Sequence, residues 1–384
     1  MVAIVVRRLL WLPVVLFFVS VITFLLGFYA PGDPVQVLLG VHATPDTIER
    51  LRHEYGFDKP IFIDPDAFGL AARELSQGKL PLNAIQQFFD TQYFRYIANA
   101  LHGNFGYSLV KYRDQPVGEL IAERLPITLQ LNFIALVIGV SLGLPLGILT
   151  GLKRNTRFDF TVRTFTLVSI SISLLALLPI LTFIFSRRQD IFGIQAGPIL
   201  PMVGGRLSTI SGTDFNDCFG GLAPTLIGWG VQPENIPDTR IICLNQLPKL
   251  VLPILIESLG YIAIMTRQMR ASLIEVLGQD YVRTARAKGL RERSVLVRHA
   301  MRNALLPIAT ILGLSLGGLV EGSFLVESWF GIPGVGALAV DALYAREYYI
   351  IVALVLIIAV AYVVALLALD LIRPFLDPRL RQVE

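Results

Sequence analysis

The chain has 384 residues, of which 54% are hydrophobic and only 16% charged, with a mean hydropathy of +0.63 and a formal net charge of +4. A polypeptide this apolar is not an ordinary soluble domain, and it reads as an integral membrane protein. Its expected class is all-α, because a chain crossing roughly 30 Å of hydrocarbon as single segments must bond every backbone group internally, which takes about 17 to 25 apolar residues per helix.

Six windows meet that requirement. The first, residues 9–30 (LLWLPVVLFFVSVITFLLGFYA), follows Arg7 and Arg8, and its length favours a retained span over a cleaved leader. With the tail before it, it forms a first section, 1–30. Residues 31–126 then form an extracytoplasmic segment. In it, "TPDTIERLRHEYG" predicts a helix with Thr44 as N-cap, Pro45 at the first helical position and Gly56 as the stop. Further on, "PLNAIQQFFDTQYFRYIANALHG" predicts an amphipathic helix carrying Ile85, Phe88, Phe89, Tyr93 and Tyr96. So many aromatics predict a cap packed on the outer mouth of the bundle rather than a solvated loop.

Two charge-free windows follow, 127–151 and 164–186, within the section 127–186. Ser141 and the serines at 169, 171 and 173 are expected to pack helices or bond backbone. Residues 187–249 form a second extracytoplasmic segment, rich in Gly, Pro, Ser, Thr and Asn and without periodicity, which reads as a long loop or small irregular lobe. Both cysteines, Cys218 and Cys243, fall there. An oxidising exterior permits a disulfide between them, worth roughly 3 kcal/mol by loop entropy; two free thiols are the other reading.

The last section, 250–384, holds windows 250–266, 304–326 and 348–369. Glu257 and Glu321 are the only charges inside any of the six. A carboxylate within a span is costly and faces the bundle interior or a water-filled pathway, so these two are candidate contacts for a cationic group on a translocated solute. A structural hydrogen bond, or a span ending one turn before Glu321, is the alternative. Between the last two windows, "GSFLVESWFGIPGVGALAVDAL" (322–343) carries the Gly and Pro of a re-entrant turn and is expected to set Trp329 and Phe330 at the membrane boundary.

More than half of the 33 Lys and Arg lie in the short segments 1–8, 153–163, 267–302 and 373–384. By the positive-inside rule these segments and both termini are cytoplasmic. Familiar catalytic spacings are missing: no G-x-x-x-x-G-K-[ST] phosphate loop, no G-x-S-x-G elbow, and no metal-ligand spacing among His42, His53, His102 and His299. No catalytic residue or metal site is therefore expected in this chain.

The cytoplasmic loop 267–303 contains "DYVRTARAKGLRERSVLVRHAMRNALLP" (280–307), with seven Lys or Arg. A nucleic-acid surface would need an exposed basic domain with interleaved aromatics, which this tied loop is not. At helical spacing Tyr281, Ala285 and Gly289 align as a face with little side chain, and Arg283 and Arg286 lie opposite. Simple positive-inside anchoring explains the charge but not the small residues, whereas a helix small on one side and basic on the other reads as a docking element for a partner protein.

At these residues the chain resembles the membrane permease subunits of binding-protein-dependent ABC importers, and in particular the B-type permease of the dipeptide and oligopeptide branch. The family's E-A-A-x-x-x-G core stands here as Arg283-Thr284-Ala285, then three residues, then Gly289, so Ala285 and Gly289 match and the first two positions depart. "APGDP" (30–34), "GNFGYSL" (103–109), "ERLPITLQL" (123–131), "LPLGILTG" (144–151), "MRASLIEVLG" (269–278), "LVESWFGIPGVG" (325–336) and "DPRLR" (377–381) are similar to the family in its order. Segments near 60–95 and 187–245 exceed its usual length.

The resemblance implies a six-helix type I importer permease fold in the bacterial inner membrane, with two extracytoplasmic insertions. It implies a second, homologous permease, two cytoplasmic ABC ATPases that bind ATP and Mg, an extracytoplasmic solute-binding protein, and a peptide cargo. No cofactor is implied for this chain. Tyr281, Arg283, Thr284, Ala285, Arg286, Ala287, Lys288 and Gly289 would form the segment seated in an ATPase. The leading alternative is an ion-coupled secondary transporter with Glu257 and Glu321 as proton or cation sites, which inverted repeats would favour and none are evident. An intramembrane hydrolase lacks a catalytic constellation here, and a receptor or scaffold would leave the small-faced cytoplasmic helix without a purpose.

Overall fold

Apolar helices carry most of the described chain, which in this computed structural model comprises residues 2–29, 46, 49, 50, 52, 53, 58–62, 64–77, 82–186, 189–191, 194–196 and 239–376. The order is Val2–Tyr29, the short helices Pro65–Ser76, Leu82–Phe89 and Gln92–Leu101, then Val117–Leu152, Arg157–Ser171 and Leu174–Ser186. An antiparallel ribbon pairs Gln189–Ile191 with Ile194–Ala196. Thr239–Leu277, Asp280–Ala287, residues 292–304, Leu306–Gly318, Phe324–Phe330, Val335–Ala345 and Tyr348–Leu376 complete it. Cys218, the side chain of Cys243 and the ends of the expected Thr44–Gly56 helix lie outside the described residues.

Among the described residues three helices are long and apolar enough to cross a bilayer unbroken: Val117–Leu152, Leu250–Leu277 and Tyr348–Leu369. Three bent pairs add to them, Arg157–Ser171 with Leu174–Ile184 (109°), Glu292–Ala304 with Leu306–Gly318 (45°), and Phe324–Phe330 with Val335–Ala345 (84°). Window 164–186 is thus not one straight span. Its break follows from the run Ser169-Ile170-Ser171-Ile172-Ser173, where weak helix formers compete with the backbone and Ile172 turns extended (φ −78°, ψ 122°). Window 304–326 is likewise cut short, since its helix ends at Gly318.

The chain divides into two compact units. One, residues 9–123 with 339–360, is organised around Phe24, whose ring packs on Phe62, Tyr93, Tyr96 and Tyr348. Ser20 and the Tyr93 hydroxyl share a buried hydrogen bond of 2.7 Å. The single amphipathic helix expected over 81–103 is two helices, broken where Thr91 adopts an extended conformation (φ −117°, ψ 163°). Tyr93 and Tyr96 are buried, whereas Ile85 and Phe89 are exposed. Asp90, at the break, is held by Lys59 and Arg95.

In the same unit Glu347 is almost fully buried and anchors the 103–111 loop. It accepts from the Ser108 hydroxyl (2.6 Å) and from the backbone N–H of Leu109 (3.0 Å), Val110 (2.8 Å) and Lys111 (2.6 Å). A buried carboxylate is tolerable only with such donors around it. Asp341 adds a pair with Lys111 (2.7 Å) and a bond from the Tyr112 hydroxyl (3.0 Å).

The second unit, residues 1–8, 124–338 and 361–384, rests on a helix crossing made of glycines. Gly139, Gly143, Gly147 and Gly151 recur every fourth residue along Val117–Leu152 and meet Tyr261, Met265, Met269 and Leu273 of Thr239–Leu277. A Cβ at Gly139 would lie 2.2 Å from Tyr261 Cβ, and one at Gly147 would lie 2.6 Å from Met269 Cβ. The backbones approach so closely that Thr266 donates to the Gly143 carbonyl at 3.1 Å. Dispersion at such small-residue contacts holds helices together where lipid supplies no hydrophobic drive between them.

Candidate translocation cavity and coupling segment

Glu257, on Thr239–Leu277, and Glu321, in the turn after Leu306–Gly318, line one cavity of about 440 Å³. Asn132, Tyr261, Ser323 and Tyr362 share its wall. Glu321 accepts a hydrogen bond from the Tyr362 hydroxyl (3.2 Å) and is exposed. It stands in the turn beyond the helix end at Gly318. Glu257 is more enclosed, and its Oε2 is buried without a hydrogen-bond partner. Asn132 is spoken for, donating to the Leu319 carbonyl at 3.0 Å. Two carboxylates separated in sequence thus converge on one polar hollow among apolar helices.

The wall next to this cavity is fixed by a third carboxylate that sequence reasoning passed over. Glu327 is fully buried and accepts from the Thr128 hydroxyl (2.9 Å) and from the Ala337 N–H (3.0 Å), while Thr128 in turn accepts from the Val335 N–H (2.7 Å). This lock sets the 84° bend of the re-entrant segment. It leaves no room at Gly334, where a Cβ would stand 2.4 Å from Glu327 Oε2. Gly331 ends the first helix in the left-handed region (φ 64°). Phe330, expected at the membrane boundary, instead turns into the core with Ile127, Leu131 and Val326. Trp329 is exposed and donates to the Thr182 hydroxyl at 3.1 Å. The legible signal for Glu327 was an acidic residue followed closely by a Gly-x-Pro-Gly-x-Gly turn, since such tight backbone presents free N–H groups.

The eight residues picked out between 281 and 289 lie in one short feature. Asp280–Ala287 is a helix, Lys288 its C-cap, and Gly289 follows with φ +74°. Val282 and Ala285 are buried against Val276, Leu277 and Val295 of the same chain. Of the face drawn through Tyr281, Ala285 and Gly289, Ala285 packs inward while Tyr281 and Gly289 are exposed. The outward surface is Tyr281, Arg283, Thr284, Arg286, Ala287, Lys288 and Gly289. Arg286 forms a two-point bond with Glu292 (Nε 3.1 Å, Nη2 2.6 Å), and Asn303 donates to the Tyr281 hydroxyl at 2.7 Å. Thr284 donates back to the Asp280 carbonyl at 2.9 Å, and Arg283 is a loose partner of Asp280 at 3.6 Å. A Cβ at Gly289 would meet nothing within 4 Å, so that corner is open to a partner.

Comparison with known proteins fits this arrangement. The model of the family described as "Binding-protein-dependent transport system inner membrane component" matches residues 143–382, and its N-terminal counterpart matches residues 1–72. The probable D,D-dipeptide transport system permease protein DdpB of Escherichia coli K12 is 32% identical over 94% of this chain and 92% of its own length. The dipeptide transport system permease protein DppB of Lactococcus lactis is 30% identical over 99% of this chain and all of its own length. The oligopeptide transport system permease protein AppB of Bacillus subtilis is 29% identical over 99% of both chains.

Proposed function

The chain belongs to the family of binding-protein-dependent transport system inner membrane components, and from that premise we propose that its cargo is a di- or oligopeptide. It is a permease subunit of such a system rather than an enzyme, and it works with a solute-binding protein and ATPases. The observation that carries the peptide reading is the similarity, over nearly the whole chain, to relatives named as dipeptide and oligopeptide permeases. In this reading a second, homologous permease completes the pathway, two ATPase subunits hold ATP and Mg on the cytoplasmic side, and both termini are cytoplasmic. The lysine and arginine distribution supports that orientation.

The Glu257–Glu321 cavity is the part of the pathway this chain supplies. Its carboxylates suit the ammonium end of a peptide, and its hydroxyls suit amide groups. The segment Asp280–Gly289 is the contact for an ATPase, presenting Arg283, Lys288 and the open corner at Gly289. Coupling follows from linkage: the segment must bind the two ATPase states with different affinity, and each tenfold difference shifts the transporter's equilibrium by about 1.4 kcal/mol. The test is purification of the tagged protein from mild detergent followed by identification of co-purifying chains. Two ATPases and a related permease, with hydrolysis stimulated by a peptide-loaded binding protein, are the expected result; a solitary chain without ATPase would refute the reading.

A further inference from the structure

We propose that the crevice between Arg157–Ser171 and Leu250–Leu277 binds the head-group phosphate of an anionic phospholipid. The crevice has a volume of about 220 Å³ and is lined by Arg163, Arg267 and Arg270, with Thr166, Leu167 and Ile170 among its other walls. Arg270 is already committed: its Nε and Nη2 bond the two oxygens of Asp159 at 2.7 and 2.9 Å. Asp159 neutralises that one guanidinium and also accepts from the Asn155 N–H at 3.0 Å. Arg163 feels the charge of Asp159 without bonding it, and neither Arg163 nor Arg267 has an ion-pair partner among the described residues. Both are exposed, and three arginines against the single Asp159 leave the crevice with a net positive charge.

The wall chemistry narrows the ligand. Thr166 spends its hydroxyl hydrogen on the Arg163 carbonyl (2.9 Å), and Thr266, also on the wall, spends its own on Gly143 (3.1 Å). Recognition therefore falls to guanidinium groups, whose planar donor fork matches phosphate oxygens. Along the helix, Leu167 and Ile170 follow Arg163 at the next two turns on the same face and also line the crevice. Ile264 precedes Arg267 by one turn and is exposed. Arg163 thus sits at one end of an apolar track on the crevice wall, and Arg267 has an exposed apolar neighbour one turn away, which is the layout of a phosphate head on hydrocarbon chains. Basic hollows between spans at a membrane face are suited to anionic head groups. This site depends on the chain lying in a membrane, not on the identity of its cargo.

The test is native mass spectrometry of the full-length protein purified in detergent and exposed in turn to phosphatidylglycerol, phosphatidylethanolamine and inorganic phosphate. Phosphatidylglycerol should be retained well above phosphatidylethanolamine, whose ammonium offsets its phosphate. At about fivefold per arginine, the double variant R163Q/R267Q should lose most of that preference. R163K/R267K should keep the charge and much of the retention, which decides the matter if the glutamine variant proves unstable. K153Q/R154Q, outside the crevice, should leave retention unchanged. Equal retention of the two lipids by the unaltered protein, an equal loss in K153Q/R154Q, or displacement of the lipid by millimolar inorganic phosphate would overturn the assignment.

Discussion

Glu257, on a helix, and Glu321, in the turn after another, face the same cavity, where one has an unpartnered buried oxygen and the other is bonded by Tyr362. If that cavity carries cargo, neutralising either carboxylate changes selectivity more than assembly. E257Q and E321Q should lower uptake of peptides with a net positive charge by about tenfold, the equivalent of one modest charge contact at intermediate dielectric. Uptake of acidic peptides should fall less or rise. Competition assays with Lys-rich and Glu-rich peptides, normalised to the amount of assembled complex, check this, and uniform losses for all peptides would speak for a structural role.

Gly289 offers a way to separate strain from docking. Its φ of +74° costs any other residue about 1 kcal/mol, yet a Cβ there touches nothing in the chain. G289A and G289W should therefore destabilise the purified chain to a similar small extent. In the assembled transporter only G289W should cut peptide uptake per ATP hydrolysed. Equal uptake with both variants would mean that no partner surface meets this corner.

The glycine crossing predicts a sharp contrast between two glycines of the same unit. G147A places a Cβ 2.6 Å from Met269 Cβ and 2.8 Å from the Thr266 carbonyl, so it should cost about 1–3 kcal/mol through overpacking. Gly260 has nothing within 4 Å of an added Cβ, and G260A should be neutral or slightly stabilising. Thermal melting in detergent, followed by intrinsic fluorescence or size-exclusion recovery, reads the difference.

Removing the Glu347 carboxylate strips one acceptor from four donors. E347A should destabilise the unit of 9–123 and 339–360 by about 3 kcal/mol, since charged hydrogen bonds are the strong ones and the donors of Ser108 and Leu109 would be left buried and unpaired. Faster proteolysis within 103–116, with little change in the Val117–Leu152 helix, is the expected signature.

Asp90 gives the unit of 9–123 and 339–360 an acid limit. Its hydrogen bond from Lys59, and then that from Arg95, hold its carboxyl below the ordinary carboxylate range. A depressed folded-state value contributes stability that is present above the unfolded value near 4 and lost as pH falls through the folded one. Both partners are partly exposed, so the effect is modest. Protection of the Gln92–Leu101 amides, taken relative to their intrinsic exchange rates at each pH, should fall below about pH 4 in the unaltered protein, and D90N should already be less protected at neutral pH with a flatter acid response.

Much of this architecture could be read from residue order, because a bilayer demands long apolar runs and, among the described residues, most of each window falls on helical chain. The interruptions were harder. Ser169–Ser173 reads as uniformly apolar or small, and only the competition between serine hydroxyls and backbone at that spot turns the chain by 109°. Helical spacing aligned Tyr281, Ala285 and Gly289, but which face looks outward depends on Val276, Leu277 and Val295, whose packing on Ala285 is a tertiary fact. Glu327 and Glu347 escaped notice because each lies just outside an apolar window, where a charge looks solvated. Their burial depends on N–H groups gathered by distant turns. The convergence of Glu257 and Glu321 on one cavity likewise needs the turn at 319–322, which hydropathy does not show.

The most direct test of the account is peptide uptake in proteoliposomes containing this chain, its co-purifying permease and ATPases, and the peptide-loaded binding protein. Uptake that requires ATP inside the ATPase compartment and the binding protein opposite, and that ignores an imposed proton or sodium gradient, is the predicted result. Accumulation by this chain alone, driven by an ion gradient and abolished in E257Q or E321Q, would contradict it and make those carboxylates ion sites.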